Sequence, residues 1–215
     1  MVTVRPAALA DAADVVRINV RTWRHAYAGI VPDDVLAALD QQLDERVRRT
    51  RDRWAEPAAP VRTVVAVPGP NQPPIGYASY GPYRDGRDWA ELDPAVGELL
   101  AIYVDPPHQR AGAGRALLDV AVGALRRAGA GEIRLWVLAG NAPARRFYER
   151  SGFVADGALD TFRMERPDGT PVDLLEVRYA IRLPAGADPA AGRCRPGSGP
   201  TRPVTGRLTA PGAGG

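Results

Sequence analysis

The sequence predicts an α/β domain whose sheet mixes parallel and antiparallel neighbours, and three stretches predict it. Residues 98–138 read strand, glycine-rich loop, helix, strand. Residues 61–67 and 75–81 are β-prone runs joined by a turn holding Pro68, Gly69, Asn71 and Pro74. Residues 161–164 and 172–183 frame a second turn at Pro167, Asp168, Gly169 and Thr170. A tight turn sets its strands antiparallel, whereas a right-handed crossover through a helix sets them parallel.

Taken in order, Thr3 to Ala7 reads as a short first strand. Asp11 is a candidate N-cap for a helix reaching about His25, with Val15, Ile18, Val20 and Trp23 mostly on one side. Tyr27 to Pro32 breaks that helix. Asp33 begins a second, which Val35, Leu36, Leu39, Leu43 and Val47 carry to about Trp54. Arg46, Arg48, Arg49, Arg51 and Arg53 are interleaved with Asp44, Glu45 and Asp52, the pattern of a solvated helix face. Residues 82–97, polar with glycine and proline, read as a long loop. Glu98 to Val104 is apolar and β-prone, the profile of a buried strand, and Asp105-Pro106-Pro107 stops it. Ala116 to Ala128 is a helix ended by Gly129, and Glu132 to Leu138 is the next strand. Asn141 caps a short helix that Gly152 ends.

The chemistry concentrates at Gln109-Arg110-Ala111-Gly112-Ala113-Gly114-Arg115. The first turn of a helix leaves backbone N–H groups without partners and carries about half a positive charge. Gly112 and Gly114 remove side chains there, so a phosphate can reach those N–H groups. Arg110 and Arg115 add charge and bidentate geometry. The expectation is a pyrophosphate site built mostly of backbone. A P-loop is excluded because the chain contains no lysine. A dinucleotide fingerprint is excluded because Leu117 stands where its third glycine belongs.

What remains is Q-x-x-G-x-G after a strand ending V-D-P. One strand later comes N-x-x-A-x-x-F-Y-x-x-x-G-F, carried by Asn141, Ala144, Phe147, Tyr148, Gly152 and Phe153. In this order and spacing the two motifs resemble those of the GNAT superfamily of acetyl-CoA-dependent N-acetyltransferases, over residues 1–183. The resemblance implies a mixed, mostly antiparallel sheet flanked by helices, with acyl-CoA where two parallel central strands splay apart. It implies that Ile102, Tyr103 and Val104 offer backbone groups to the pantetheine. The loop Gln109, Arg110, Ala111, Gly112, Ala113, Gly114 and Arg115 is then the pyrophosphate cradle, and Asn141 contacts the pantetheine arm or is a plain N-cap. Tyr148 matches the tyrosine near the CoA sulfur, either as general acid for the leaving thiolate or as packing. Reference values of about 10 for the phenol and about 8.5 for a thiol make that transfer uphill by ~2 kcal/mol, small against a catalytic barrier. Glu98 matches a position that often carries the base, acting directly or through water, and is otherwise a surface carboxylate at a strand end. Trp23 and Tyr27 fall where family members line the acceptor pocket, or belong to the core. His108 reads as a loop residue.

The implied reaction is acetyl transfer to a primary amine of a small molecule or protein, by direct attack in a ternary complex. A non-catalytic acyl-CoA sensor of the same fold is the alternative. No metal is required, because backbone N–H groups can polarise a thioester carbonyl, and one cysteine and two histidines make a Cys/His-rich metal site improbable. The single cysteine, Cys194, also excludes an internal disulfide. No apolar run is long enough for a membrane span and no signal pattern opens the chain, so the cytoplasm is expected. Residues 184–215, rich in proline, glycine and arginine, cannot bury enough surface to order and are expected to be a disordered tail. Four arginines against one aspartate place the chain's net charge of +3 in that tail. The neutral remainder gives no footprint for nucleic acid. Arginine without lysine, beside abundant alanine, suggests a GC-rich bacterial source. A homodimer is common among similar proteins, and the sequence leaves oligomeric state open.

Overall fold

The structure, a computed structural model, describes residues 2–84 and 92–184. The chain divides into units Met1–Leu183 and Pro184–Gly215. Beyond Pro184 the expected tail, with Cys194, lies outside the described residues, as do residues 85–91 of the expected loop.

Seven strands form one sheet: β1 (Thr3–Pro6), β2 (Arg62–Val67), β3 (Gly76–Arg84), β4 (Leu92–Val104), β5 (Glu132–Leu138), β6 (Val154–Glu165) and β7 (Pro171–Arg182). Their order is β1-β2-β3-β4-β5-β7-β6, and only β4 and β5 run parallel. The mixed, mostly antiparallel sheet is flanked by α1 (Ala12–Ala26), α2 (Asp33–Ala38), α3 (Leu43–Ala55), α4 (Ala113–Arg127) and α5 (Ala142–Arg150).

The helical spacing read from the sequence is what buries each helix. Leu117, Leu118, Ala121 and Leu125 of α4 lie over β2, β3 and β4, in one core with Val64, Ala78 and Leu99 and with Ile133, Leu135 and Val137 of β5. A Cβ on Gly97 would lie 2.9 Å from Leu125, so glycine there lets α4 settle onto β4. Val15 and Ile18 of α1 cover Val65, Val67 and Tyr77. A third cluster joins Val20, Tyr27, Val31, Val35 and Leu36 to Leu138 and Leu174. Helices therefore cover both faces of the sheet.

Three local expectations change. Asp11 holds the N-cap position of α1, but its side chain makes no capping bond to the helix. Its carboxylate takes both nitrogens of the Arg5 fork (2.7 and 2.9 Å) and the Ala8 N–H (2.7 Å). The helix expected from Asp33 to Trp54 is broken by a 3-10 turn at Leu39–Gln42, after which α3 packs on α1. Arg46 leaves the solvated face to donate to Asn19 Oδ1 (2.6 Å), while Arg48 and Arg49 pair with Glu45 as expected of an exposed face. Strands also run into the expected loop: β3 reaches Arg84 and β4 begins at Leu92. The register slips between Pro82 and Tyr83, which lets a proline sit inside a strand. Among the described residues no helix is long and apolar enough to cross a membrane.

Candidate active site

The site begins with a seam that opens. β4 and β5 pair only at Val96 with Glu132, Gly97 with Ile133 and Glu98 with Arg134. Beyond, β4 stays paired with β3 as far as Val104, and β5 stays paired with β7 as far as Leu138. Residues 99–104 and 135–138 therefore diverge with no ladder between them. A bulge on β4, where Ala101 pairs with Ser79 but Leu99 pairs with Tyr80, adds local twist at that point. The divergence opens a cleft of about 960 Å³, lined by residues 99–104 on one wall and Trp136, Val137 and Leu138 on the other.

One end of the cleft is the glycine loop. Gln109 ties it to the strand by donating from Nε2 to Val104 O (3.1 Å). Arg110 (φ 64°) and Gly112 (φ 85°) both adopt the left-handed conformation, the kind of turn whose N–H groups make an anion-binding concavity. Gly112 is the N-cap of α4. The first helical bond runs from Ala116 N–H to Gly112 O (3.0 Å), leaving the amides of Ala113, Gly114 and Arg115 ahead of it. A Cβ on Gly112 would meet nothing within 4 Å, and one on Gly114 would make only ordinary contact, 3.6 Å from Val104 Cγ2. Packing does not require glycine at 114, although glycine inside a helix costs about 0.5–1 kcal/mol relative to alanine. The room above this first turn, with free amides and Arg110, Arg115, Arg146 and Arg150 lining the cleft, fits a pyrophosphate. Arg115 is held by Asp119 (2.8 Å). Gln109, Arg110, Gly112, Gly114 and Arg115 line the cleft with their own atoms, whereas Ala111 and Ala113 are absent from its lining and offer only backbone nearby. His108 stands outside, 3.7 Å from Asp105.

Tyr148 lies in the middle, 8 % exposed, its ring against Phe147 (5.4 Å) and Phe153 (6.0 Å). Burial, with Tyr103 nearby, raises its phenol well above the usual tyrosine range, so it stays protonated at any working pH. Asn141 is the N-cap expected of it, its Oδ1 accepting from Ala144 N–H (3.2 Å), and it also lines the cleft. Burial, with Tyr103 nearby, raises the Tyr27 phenol well above the usual tyrosine range, and Trp23 Nε1 donates to Tyr103 Oη (3.1 Å). The Trp23–Tyr103 bond ties the end of α1 to β4 at the open seam. Trp23 and Tyr27 line the cleft, Tyr27 also belonging to the third cluster and Trp23 packing against it.

Glu98 is not brought to this site. It is 2 % exposed, sits at the last paired position of the seam, and is not among the described residues lining the cleft. Arg84 occupies both its oxygens, with Nε at 3.0 Å and Nη2 at 2.6 Å, and adds its backbone N–H at 3.2 Å. The carboxylate that does line the cleft is Glu176 of β7, 9 % exposed and opposite Leu138. Phe162 and Trp136 line the same region. Sequence reasoning missed all three. The available signal was one acid set inside the apolar run Leu174-Leu175-Glu176-Val177.

Comparison with known proteins agrees with this geometry. The model of the acetyltransferase (GNAT) family matches residues 22–153. The uncharacterized N-acetyltransferase YuaI of Bacillus subtilis is 34 % identical over 149 residues, 69 % of this chain and 78 % of the relative. A mycothiol acetyltransferase of Frankia alni is 33 % identical over 177 residues, 82 % of this chain, but the match spans only 46 % of that relative's length. Among solved structures, yncA of Salmonella typhimurium with its cofactor acetyl-CoA superposes with a TM-score of 0.55 at 24 % identity, covering 89 % of this chain and 99 % of the other, a likeness of fold. The opened seam, the backbone cradle at α4 and the family match agree, and the chain belongs to the GNAT family of acetyltransferases.

Proposed function

We propose that this chain transfers an acetyl group from acetyl-CoA to a primary amine by direct attack, with both substrates bound at once. The observation carrying the reading is the single continuous cleft, which runs from the amides at the start of α4 past Tyr148 to a carboxylate at Glu176. The loop from Gln109 to Arg115 holds the pyrophosphate. The freed edge of Ile102, Tyr103 and Val104, with Asn141 opposite, holds the pantetheine, and backbone N–H groups there polarise the thioester carbonyl. An alkylamine, with a pKa of about 10.4, arrives as an ammonium and must lose a proton before its lone pair is free. Glu176 takes that proton, the role the sequence suggested for Glu98. The new C–N bond forms as the C–S bond breaks, and Tyr148 Oη gives its proton to the departing sulfur. Burial weakens Tyr148 as an acid, but the same water-poor surroundings raise the basicity of the thiolate, so the transfer keeps its modest barrier. The reaction needs no periplasmic or membrane setting, which keeps the cytoplasm as its expected place.

The test is a panel of amines with acetyl-CoA, reading free thiol release and confirming N-acetyl product by mass. Amine-dependent release supports the reading. Tight acetyl-CoA binding without release to any amine would favour the sensor alternative.

A further inference from the structure

The charged residues of α5 divide between two faces of the helix. On one face Arg145 and Glu149 are given over to the fold. Arg145 donates to Tyr179 Oη (3.1 Å) and to Ala139 O (3.2 Å), and Tyr179 Oη donates to Glu149 Oε1 (2.7 Å). These bonds tie α5 to β7 and to the turn after β5. On the other face Pro143, Arg146 and Arg150 line the cleft, at the i, i+3 and i+7 spacing of one helical stripe. Arg146 and Arg150 are exposed, and among the described residues neither has a carboxylate partner. Arg150 is in the last turn, where a cation suits the helix dipole, but Arg146 stands outside that turn.

Their place along the cleft follows from what α5 touches. A Cβ on Gly114 would lie 3.9 Å from the Phe147 ring, so the middle of α5 stands beside the first turn of α4. Asn141 and Pro143 line the cleft from the start of α5. Arg150 lies about 4.5 Å of helical rise beyond Phe147, towards the other end. From its N-terminus, α5 therefore offers the cleft an amide cap, then the neighbour of the phosphate turn, then an arginine. Coenzyme A runs in the same order, from pantetheine to pyrophosphate to a ribose that carries a further phosphate. The amides ahead of Ala116, with Arg110 and Arg115, already meet the pyrophosphate, which leaves the α5 pair for that further group.

We infer that Arg146 and Arg150 bind the ribose 3′-phosphate of the donor and make the site selective for coenzyme A over its 3′-dephospho form. The inference rests on the acetyl-CoA reading above. A phosphate monoester carries a charge of about −1.5 to −2 near neutral pH, more than either oxygen bridge of the pyrophosphate leaves on one phosphorus. Two guanidiniums one turn apart suit such a group, because each offers a planar fork of N–H donors to its oxygens. Both arginines are exposed and hydrated before the donor arrives, so the discrimination is of the order of tenfold rather than many thousandfold. Exposed charges are also screened, so the preference weakens as salt is raised.

The experiment is calorimetry on the full chain with coenzyme A and with 3′-dephospho-coenzyme A, repeated on the double variant Arg146→Gln, Arg150→Gln. On the natural sequence, coenzyme A should bind about tenfold or more tightly than the dephospho form, and the gap should narrow as salt is raised. In the double variant coenzyme A should weaken about tenfold, to the level of the dephospho form, whose own affinity should stay within about twofold. The comparison of the two ligands on the natural sequence needs no variant and stands even if the double variant fails to fold. Equal affinity for the two ligands on the natural sequence overturns the inference and leaves the donor reading standing. Equal losses for both ligands in a folded double variant do the same, and return the α5 pair to the pyrophosphate. Binding of neither ligand to the natural sequence overturns the inference and the donor reading together.

Discussion

Tyr148 and Glu176 carry the proposed chemistry at the scale of single residues, and Glu98 carries none of it. Tyr148→Phe removes one hydroxyl from a packed ring, so kcat should fall roughly 10²- to 10⁴-fold while acetyl-CoA binds with unchanged affinity in calorimetry. Glu176→Gln should lower kcat most near neutral pH and recover in part above the amine's pKa, where free amine no longer needs a base. Glu98→Gln should leave kcat within a few-fold and instead destabilise the fold by about 1–3 kcal/mol, because Arg84 loses a charged partner in a buried place. A matched loss of kcat in Glu98→Gln, with its pH dependence, would return the base role to it. Asp11 gives a stability test with a definite sign. Its fork to Arg5 lowers its pKa, so its stabilisation is present above the unfolded value near 3.8 and is lost as pH falls through the folded value. Denaturant melts should show Asp11→Asn less stable than the natural chain at pH 7 and the gap nearly closed by pH 2. The place of Tyr148 in the cleft was legible because it sits in a local pattern on one helix. Glu98 misled because its neutraliser, Arg84, reaches it across a hairpin, and nothing in the local run of residues records that.

Elements were legible where their cause was local. Helical spacing found α1 and α4, and the cap at Asn141 and the stop at Gly152 found α5. The strand–loop–helix unit led directly to the start of α4, where the loop proposed to hold phosphate lines the cleft. The parts that depend on distant partners were less visible. β4 gains its first residues only by pairing with the end of β3, and the insertion of β7 between β5 and β6 is what carries Glu176 to the cleft. The break between α2 and α3 at Leu39–Gln42 precedes a helix that packs on α1, a contact distant in sequence. The cradle itself can be tested by opposite signs. In Gly114→Asp the carboxylate enters the first turn of α4, where it favours the helix by about 0.3–1 kcal/mol. A Cβ there meets only ordinary contact. The melting temperature should hold or rise while acetyl-CoA affinity drops at least tenfold, since the same carboxylate repels phosphate. Unchanged affinity in this folded variant would remove the phosphate from α4.

Across the whole molecule, two cores on opposite faces grip the sheet on either side of one parallel seam, and the seam opens because its strands keep their outer partners while losing each other. We propose that residues 184–215, whose composition cannot bury enough surface to order, are dispensable for folding of residues 1–183. Removing them should shift neither the melting temperature nor acetyl-CoA affinity measurably, and a fall of many degrees would show that they pack on the domain. The central claim is that donor and amine meet in this one cleft and react directly. Initial rates across a grid of acetyl-CoA and the best amine of the panel test it most directly. The account predicts intersecting double-reciprocal lines and no release without amine. Parallel lines, the pattern of an acetylated enzyme formed before the amine binds, would contradict it.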